Sequence, residues 1–269
     1  MLKNILVTIL TAFFIFSCST VPVTGRKQLR LIPSSQMLAM SYSQYDSFLK
    51  ENKVSSNSKQ AEMIKRVGRR IQKAVETYMA EQGLSSNLEG FAWEFNLVDD
   101  DIANAWCMPG GKVVFYTGIL PICKTEEGVA IVMGHEVAHA IAEHGSERMS
   151  QGLIAQGLEV GVSLATMKSK PVYQQAFQTA FGVGAQVGML SFSRQHESEA
   201  DKIGLIFSSM AGYDPRDAPK FWERMKAAAG GQAPPEFLST HPSHDTRIKN
   251  LNAQLPNAIA LYNKYKDKY

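Results

Sequence analysis

The sequence predicts a predominantly helical α+β domain, and three observations carry that prediction. Met63, Val67, Ile71, Val75 and Tyr78 recur at helical spacing and make one apolar stripe, with Gly83 where a helix stops. A second helix opens at Thr125, a good N-cap residue, and carries Glu126 and Glu127 in its first turn, where the helix dipole favours acids. It is expected to run to about Met149. Between the two, Pro109-Gly110-Gly111 separates extended stretches over 102–108 and 112–118, as a hairpin does.

The other elements follow in chain order. Lys3 and the apolar run over 5–16 read as a secretory signal, too short to span a bilayer. Ile15-Phe16-Ser17-Cys18 resembles a bacterial lipobox. That resemblance implies cleavage before Cys18, acylation of Cys18 and, with Ser19 beside it, an outer-membrane lipoprotein facing the oxidising periplasm. Residues 1–17 are therefore assigned to a signal peptide, 18–33 to a tether and strap, and 34–269 to the folded domain. Leu38, Tyr42, Tyr45 and Leu49 mark its first helix, 55–59 is a polar break, and 91–98 reads as a strand. Lys65, Arg66, Arg69, Arg70 and Lys73 form the solvated face of the helix that follows the break. Asp99-Asp100-Asp101 lacks the alternating ligands, glycine and closing glutamate of a calcium loop and reads as an acidic turn. Residues 171–193 are uncharged but include Gln174, Gln175, Gln178 and Gln186. Buried amides without partners are costly, so the stretch 151–193 is expected to form a covering hairpin or lid and not a membrane span.

Composition narrows the function classes. With 45% hydrophobic and 20% charged residues the chain is neither disordered nor fibrous, and three Cys cannot make a disulfide scaffold. Cys107 and Cys123 would close a short loop if paired; two small buried thiols are the simpler expectation. A net charge of +3 without a dense basic stripe points away from nucleic acid.

The chemistry is concentrated in the helix opened by Thr125. His135-Glu136-Val137-Ala138-His139 is a complete H-E-x-x-H. Four residues advance a helix by about 400°, so both imidazoles leave one face and can hold a single Zn2+, with Glu136 placed as general base. A third ligand is required. The pattern that would supply a histidine six residues on fails, because position 145 is Gly and His144 comes one residue early; His144 is expected to cap or pair near the helix end. A carboxylate from a second helix is the alternative. Glu197 and Asp201, four apart, share a helical face, so Glu197 can ligate while Asp201 accepts the other ring proton of a ligand histidine. Glu199 points about 200° away from Glu197 and is expected to face solvent or a salt bridge.

Taken together, several motifs resemble one family. They are His135 to His139, the E-x-x-A-D of Glu197, Ala200 and Asp201, Asn104-Ala105 with Pro109-Gly110-Gly111, and Thr240-His241-Pro242 with Arg247. The family is metallopeptidase family forty-eight, the zinc endopeptidases that include HtpX, the CAAX prenyl protease, mitochondrial Oma, BepA and LoiP; the lipobox favours the LoiP-like branch. The resemblance implies a gluzincin-type zincin fold with a small sheet and two metal-bearing helices, one Zn2+ per chain, and Glu197 as third ligand. It also implies His241 as a regulatory fourth ligand displaced by substrate, with Arg247 nearby; either could instead stabilise an oxyanion.

These readings lead to an endopeptidase in which Glu136 takes the proton of a zinc-activated water and returns it to the leaving amine. Lys112, Val113, Val114, Phe115 and Tyr116 are expected to form the edge strand that an extended substrate joins. Such recognition reads backbone, so unfolded or misfolded envelope proteins are the expected substrates and quality control the expected role. The competing expectation is a chaperone-like protein that binds outer-membrane proteins, its zinc site kept latent by His241.

Overall fold

The computed structural model describes residues 18–155, 170–182, 188, 192–229, 237–238, 241 and 245–268. The signal-peptide assignment lies outside the described residues, as do much of the expected lid and the side chain of Cys18.

A three-stranded sheet organises the domain. Its strands are β3 (Glu94–Val98), β4 (Ala105–Met108) and β5 (Lys112–Tyr116), in the order β3-β5-β4. The hairpin expected around Pro109-Gly110-Gly111 is the antiparallel β4–β5 pair, with Cys107 opposite Val113. β3 joins from the other side in parallel, with Phe95 opposite Val113. The expectation of an edge strand over 112–116 is therefore wrong: β5 is central and every one of its residues is buried. The physical reason is visible in Val113-Val114-Phe115, a run apolar on both faces, as strands covered on both sides are. Lys112 is accommodated by an ion pair with Glu94 at 2.7 Å and by the rings of Tyr42 and Tyr45.

Period-two alternation sends the sheet's side chains into two cores. Phe95, Leu97, Val113 and Phe115 face helices α2 (Ser58–Glu81), α4 (Glu126–Ile141) and α7 (Arg194–Met210). Trp106, Met108, Val114 and Tyr116 face α1 (Ser34–Glu51), α5 (His144–Ala155) and α6 (Lys170–Phe181). A short helix α3 (Leu120–Cys123) links β5 to α4, while α8 (Asp217–Ala229) and α9 (Asp245–Tyr265) close the far side. This is a predominantly helical α+β domain, as expected. Among the described residues no helix is long and apolar enough to cross a membrane.

Several elements differ in detail from the sequence reading. In α1 the buried stripe is Met37, Ser41, Tyr45 and Phe48, rotated from the expected one because Leu38 and Tyr42 pack on the glycine loops at Gly90 and Gly110. α2 keeps its stripe, caps on Asn57, and stops before Gly83 at φ +68°. Its basic face is only partly solvated, because Arg70 reaches the Ala211 carbonyl at 3.0 Å and covers the Tyr213 ring. The acidic turn holds itself together: Asp100 Oδ1 accepts from the Ile102 amide at 2.9 Å. Residues 18–33, expected as a tether and strap, contain a short strand pair. Cys18–Thr20 (β1) pairs antiparallel with Lys27–Leu29 (β2), and Val21 between them is fully buried.

Two features set up the site. α4 ends at Ile141 and not near Met149, because Glu143 adopts φ +55° and the chain restarts as α5 in a new direction. α4 and α7 also cross backbone to backbone at Gly134 and Gly204. A Cβ on Gly204 would stand 2.7 Å from the His135 nitrogen, and one on Gly134 would stand 2.7 Å from the Gly204 carbonyl oxygen.

Candidate active site

That crossing brings the two chemical motifs together. Thr125 caps α4 as expected, its hydroxyl accepting from Gly128, and the helix carries His135, Glu136 and His139 into the interior, each no more than 3% exposed. Ser193 caps α7 and starts it so that Glu197 and Asp201 face α4. His135 Nε2 and His139 Nε2 stand 3.1 Å apart. Glu197 places Oε2 3.5 Å from the former and Oε1 3.3 Å from the latter. His241 joins them, so that one ligand atom from each of His135, His139, Glu197 and His241 lies within 4.8 Å of the others.

The donor set fits a metal ion. Two ligand atoms about 2.0–2.1 Å from a tetrahedral zinc are separated by about 3.3 Å, which matches these spacings. Burial drives His139 well below its usual range and His241 down to about 3, leaving both as neutral lone-pair donors. Burial and the Arg247 charge oppose a proton on His135, yet Asp201 and Glu197 lift it to about 9, so the pocket favours positive charge at that position. Glu136 Oε1 and Glu197 Oε1 are buried with no hydrogen-bond donor, as expected of a base awaiting water and a ligand awaiting a cation. Burial pushes Glu136 up to about 8 and also works against ionised Glu197, which the Arg247 guanidinium and the facing imidazoles nonetheless hold well below the carboxylate range.

Each imidazole has its own support. Asp201 Oδ1 lies 3.0 Å from His135 Nδ1, the contact anticipated from the four-residue spacing. Arg247, stacked 3.4 Å over the Trp222 ring, donates to Glu197 Oε2 at 2.9 Å and to Asp201 Oδ1 at 2.6 Å. Both terminal nitrogens are thereby engaged behind the ligands, where Arg247 clamps the two acids. On the other side, His144 Nδ1 stands 2.9 Å from His139 Nδ1, and His144 Nε2 stands 3.0 Å from Glu199 Oε2. Glu199 is buried, not solvent-facing, and pairs with Arg26. Spacing could not reveal this pairing, because Arg26 is 173 residues away.

Two cavities of about 430 Å3 each flank the centre. One runs from His139 past Cys107 toward Phe91, the other opens beside Glu197 and Arg247, and Phe192, stacked on His139, borders both. β4, and not β5, is the strand beside this cleft, through Cys107. Cys107 and Cys123 are both free thiols.

A buried H-E-x-x-H completed by a glutamate from a second, closely crossed helix is the site of a zincin-like metallopeptidase fold. The chain belongs to peptidase family M48, whose family model matches residues 65–255. It is 38% identical over 185 residues to the mitochondrial metalloendopeptidase OMA1 of Saccharomyces cerevisiae, covering 66% of this chain and 51% of that protein. To the human mitochondrial metalloendopeptidase OMA1 it is 28% identical over 261 residues, 93% of this chain and 48% of the relative. The β-barrel assembly-enhancing protease of Escherichia coli is 32% identical over 160 residues, 58% of this chain and 33% of its own. The chain thus spans about half the length, or less, of these curated relatives.

Proposed function

We propose that this protein is a zinc-dependent endopeptidase that hydrolyses peptide bonds in extended or misfolded polypeptides. The observation that carries the reading is the convergence of His135, His139 and Glu197 around one point, with the Glu136 carboxylate buried beside it. Zinc held there supplies Lewis acidity, polarising a peptide carbonyl and acidifying a water. Glu136 accepts that water's proton at Oε1 as the oxygen attacks the carbonyl carbon, and gives it to the amine nitrogen as the C–N bond breaks. Asp201 holds the proton of His135 on Nδ1, which leaves Nε2 to ligate, and Arg247 holds Glu197 in place. An extended chain lies along the cleft beside β4.

The lipobox-like run ending at Cys18 supports an acylated protein of the LoiP-like branch, held at the outer membrane and facing the periplasm, with envelope quality control as its role. The likeness to an Escherichia coli protease named for β-barrel assembly supports the same address, whereas the relatives named as mitochondrial support the protease chemistry alone.

A second reading has its own observation: His241 Nε2 stands 3.5 Å from Glu136 Oε1, where it blocks the base and the fourth coordination position. In that state the protein binds unfolded chains without cutting them. Digestion of unfolded casein with and without a chelator separates the two. Glu136→Gln is expected to keep zinc and lower cleavage by about 10²–10⁴-fold, and His241→Ala to raise basal cleavage. Full activity in Glu136→Gln would end the endopeptidase reading, and unchanged or lower activity in His241→Ala would end the blocking role.

A further inference from the structure

We propose that His144 is the positioning residue for the metal ligand His139, fixed in turn by Glu199 and by Arg26 and Thr24 of the N-terminal hairpin. The proposal rests on the metal-centre reading above and extends that centre to residues that precede the matched family region, 65–255.

Proton bookkeeping along the chain of contacts supports it. His139 turns Nε2 toward His135 and Glu197, so to ligate through that nitrogen its proton must sit on Nδ1. The atom facing His139 Nδ1, at 2.9 Å, is His144 Nδ1, which must then accept and carry no proton. The proton of His144 is consequently on Nε2, where Glu199 Oε2 receives it at 3.0 Å. An ionised Glu199 can only accept, so it selects the tautomer of His144, and His144 selects that of His139.

Glu199 is itself held from outside the helix pair. Arg26 Nε donates to Glu199 Oε2 at 2.7 Å, and the Thr24 hydroxyl donates to Oε1. The Arg26 terminal nitrogens donate to both oxygens of Glu147, at 3.0 and 2.7 Å. Glu147 meets His196 at 3.1 Å, and the His196 ring stacks on that of His144 with centroids 4.4 Å apart. His144 is fully buried, so no solvent competes for either nitrogen. The break at Glu143 is what turns His144 back toward His139, since a continued α4 would carry position 144 about 140° round the helix from it.

Zinc affinity of the full chain, measured by competition with a chromophoric chelator alongside melting of the metal-free protein, tests this. His144→Phe keeps a ring against His196 but offers no acceptor, and is expected to weaken zinc about 10–100-fold. His144→Asn places its carbonyl oxygen where Nδ1 was and is expected to restore most of the affinity, although it packs less well. Arg26→Ala, which leaves His144 untouched, is expected to weaken zinc by a smaller factor. Equal losses in His144→Phe and His144→Asn that track melting would reduce the role to packing and overturn the proposal, as would native affinity in both. Loss of zinc in Glu197→Ala alongside native affinity in His144→Phe would leave the metal centre standing without this support. A native chain that holds no zinc would overturn both.

Discussion

The two halves of the metal centre are built differently. His135 is supported by Asp201, on the same helix as Glu197, with Arg247 clamping both acids from α9. His139 is supported by a relay through His144 and Glu199 to Arg26, a residue of the N-terminal hairpin. The first half needs α4, α7 and α9 to pack together, while the second needs the N-terminal hairpin, α5 and α7 to dock. The first half should therefore persist when the N-terminal segment is disturbed, and the second should not.

Asp201→Ala tests the first half and has the largest expected effect. It removes the acceptor for His135 Nδ1 and one partner of Arg247, and zinc affinity is expected to fall about 10–100-fold. If instead it falls less than in Arg26→Ala, the ranking of the halves is reversed.

Gly204→Ala acts on the joint that both halves share. Its Cβ would meet backbone atoms of Gly134 and His135 at under 3 Å, which no side-chain rotation relieves. Overpacking of this kind is expected to cost about 1–3 kcal/mol in denaturant unfolding. Alanine at Gly152, where a Cβ meets nothing within 4 Å, is the control and should leave stability near native. Equal stabilities in the two variants would remove the crossing from the account.

The smallest effect is a pH dependence confined to the hairpin side. Burial works against ionised Glu147, but hydrogen bonds from His196 and Arg26 outweigh it and hold the carboxyl at about 2, against an ordinary value of 4.5. A depressed carboxyl stabilises the fold fully above its unfolded value and loses that contribution as the pH falls toward 2. Urea unfolding between pH 7 and pH 2 should therefore show native protein well above Glu147→Gln near neutrality and the two converging in acid. Parallel curves would show that the Glu147 charge contributes nothing.

The same contrast explains how much of the molecule could be seen in advance. The α2 stripe, the Thr125 cap and the β4–β5 hairpin follow from the pattern of a single element or its neighbour, and the shared face of Glu197 and Asp201 follows from their four-residue spacing. The errors lie where distant segments compete. Residues 112–116 were expected at the sheet edge, yet β3 and β4 flank them, and Glu94, Tyr42 and Tyr45 cover Lys112. Glu199, expected to face solvent or a salt bridge, is buried and takes the salt bridge, because the docked hairpin brings Arg26 to it. Gly134 and Gly204 carried no signal of their own, since a glycine's use for close approach shows only when the second backbone is in place.

Sequence alone determined the proposed reacting set: two imidazoles a helical turn apart, a candidate base between them, and an acid four residues from its partner acid. Helical geometry makes those directions local and nearly independent of context. Tertiary structure alone decided which strand is central, where the long helix breaks, and which buried acid sets the tautomer of His139. Those outcomes depend on burial and on charge pairs between segments far apart in the chain, and neither exists until the segments have packed.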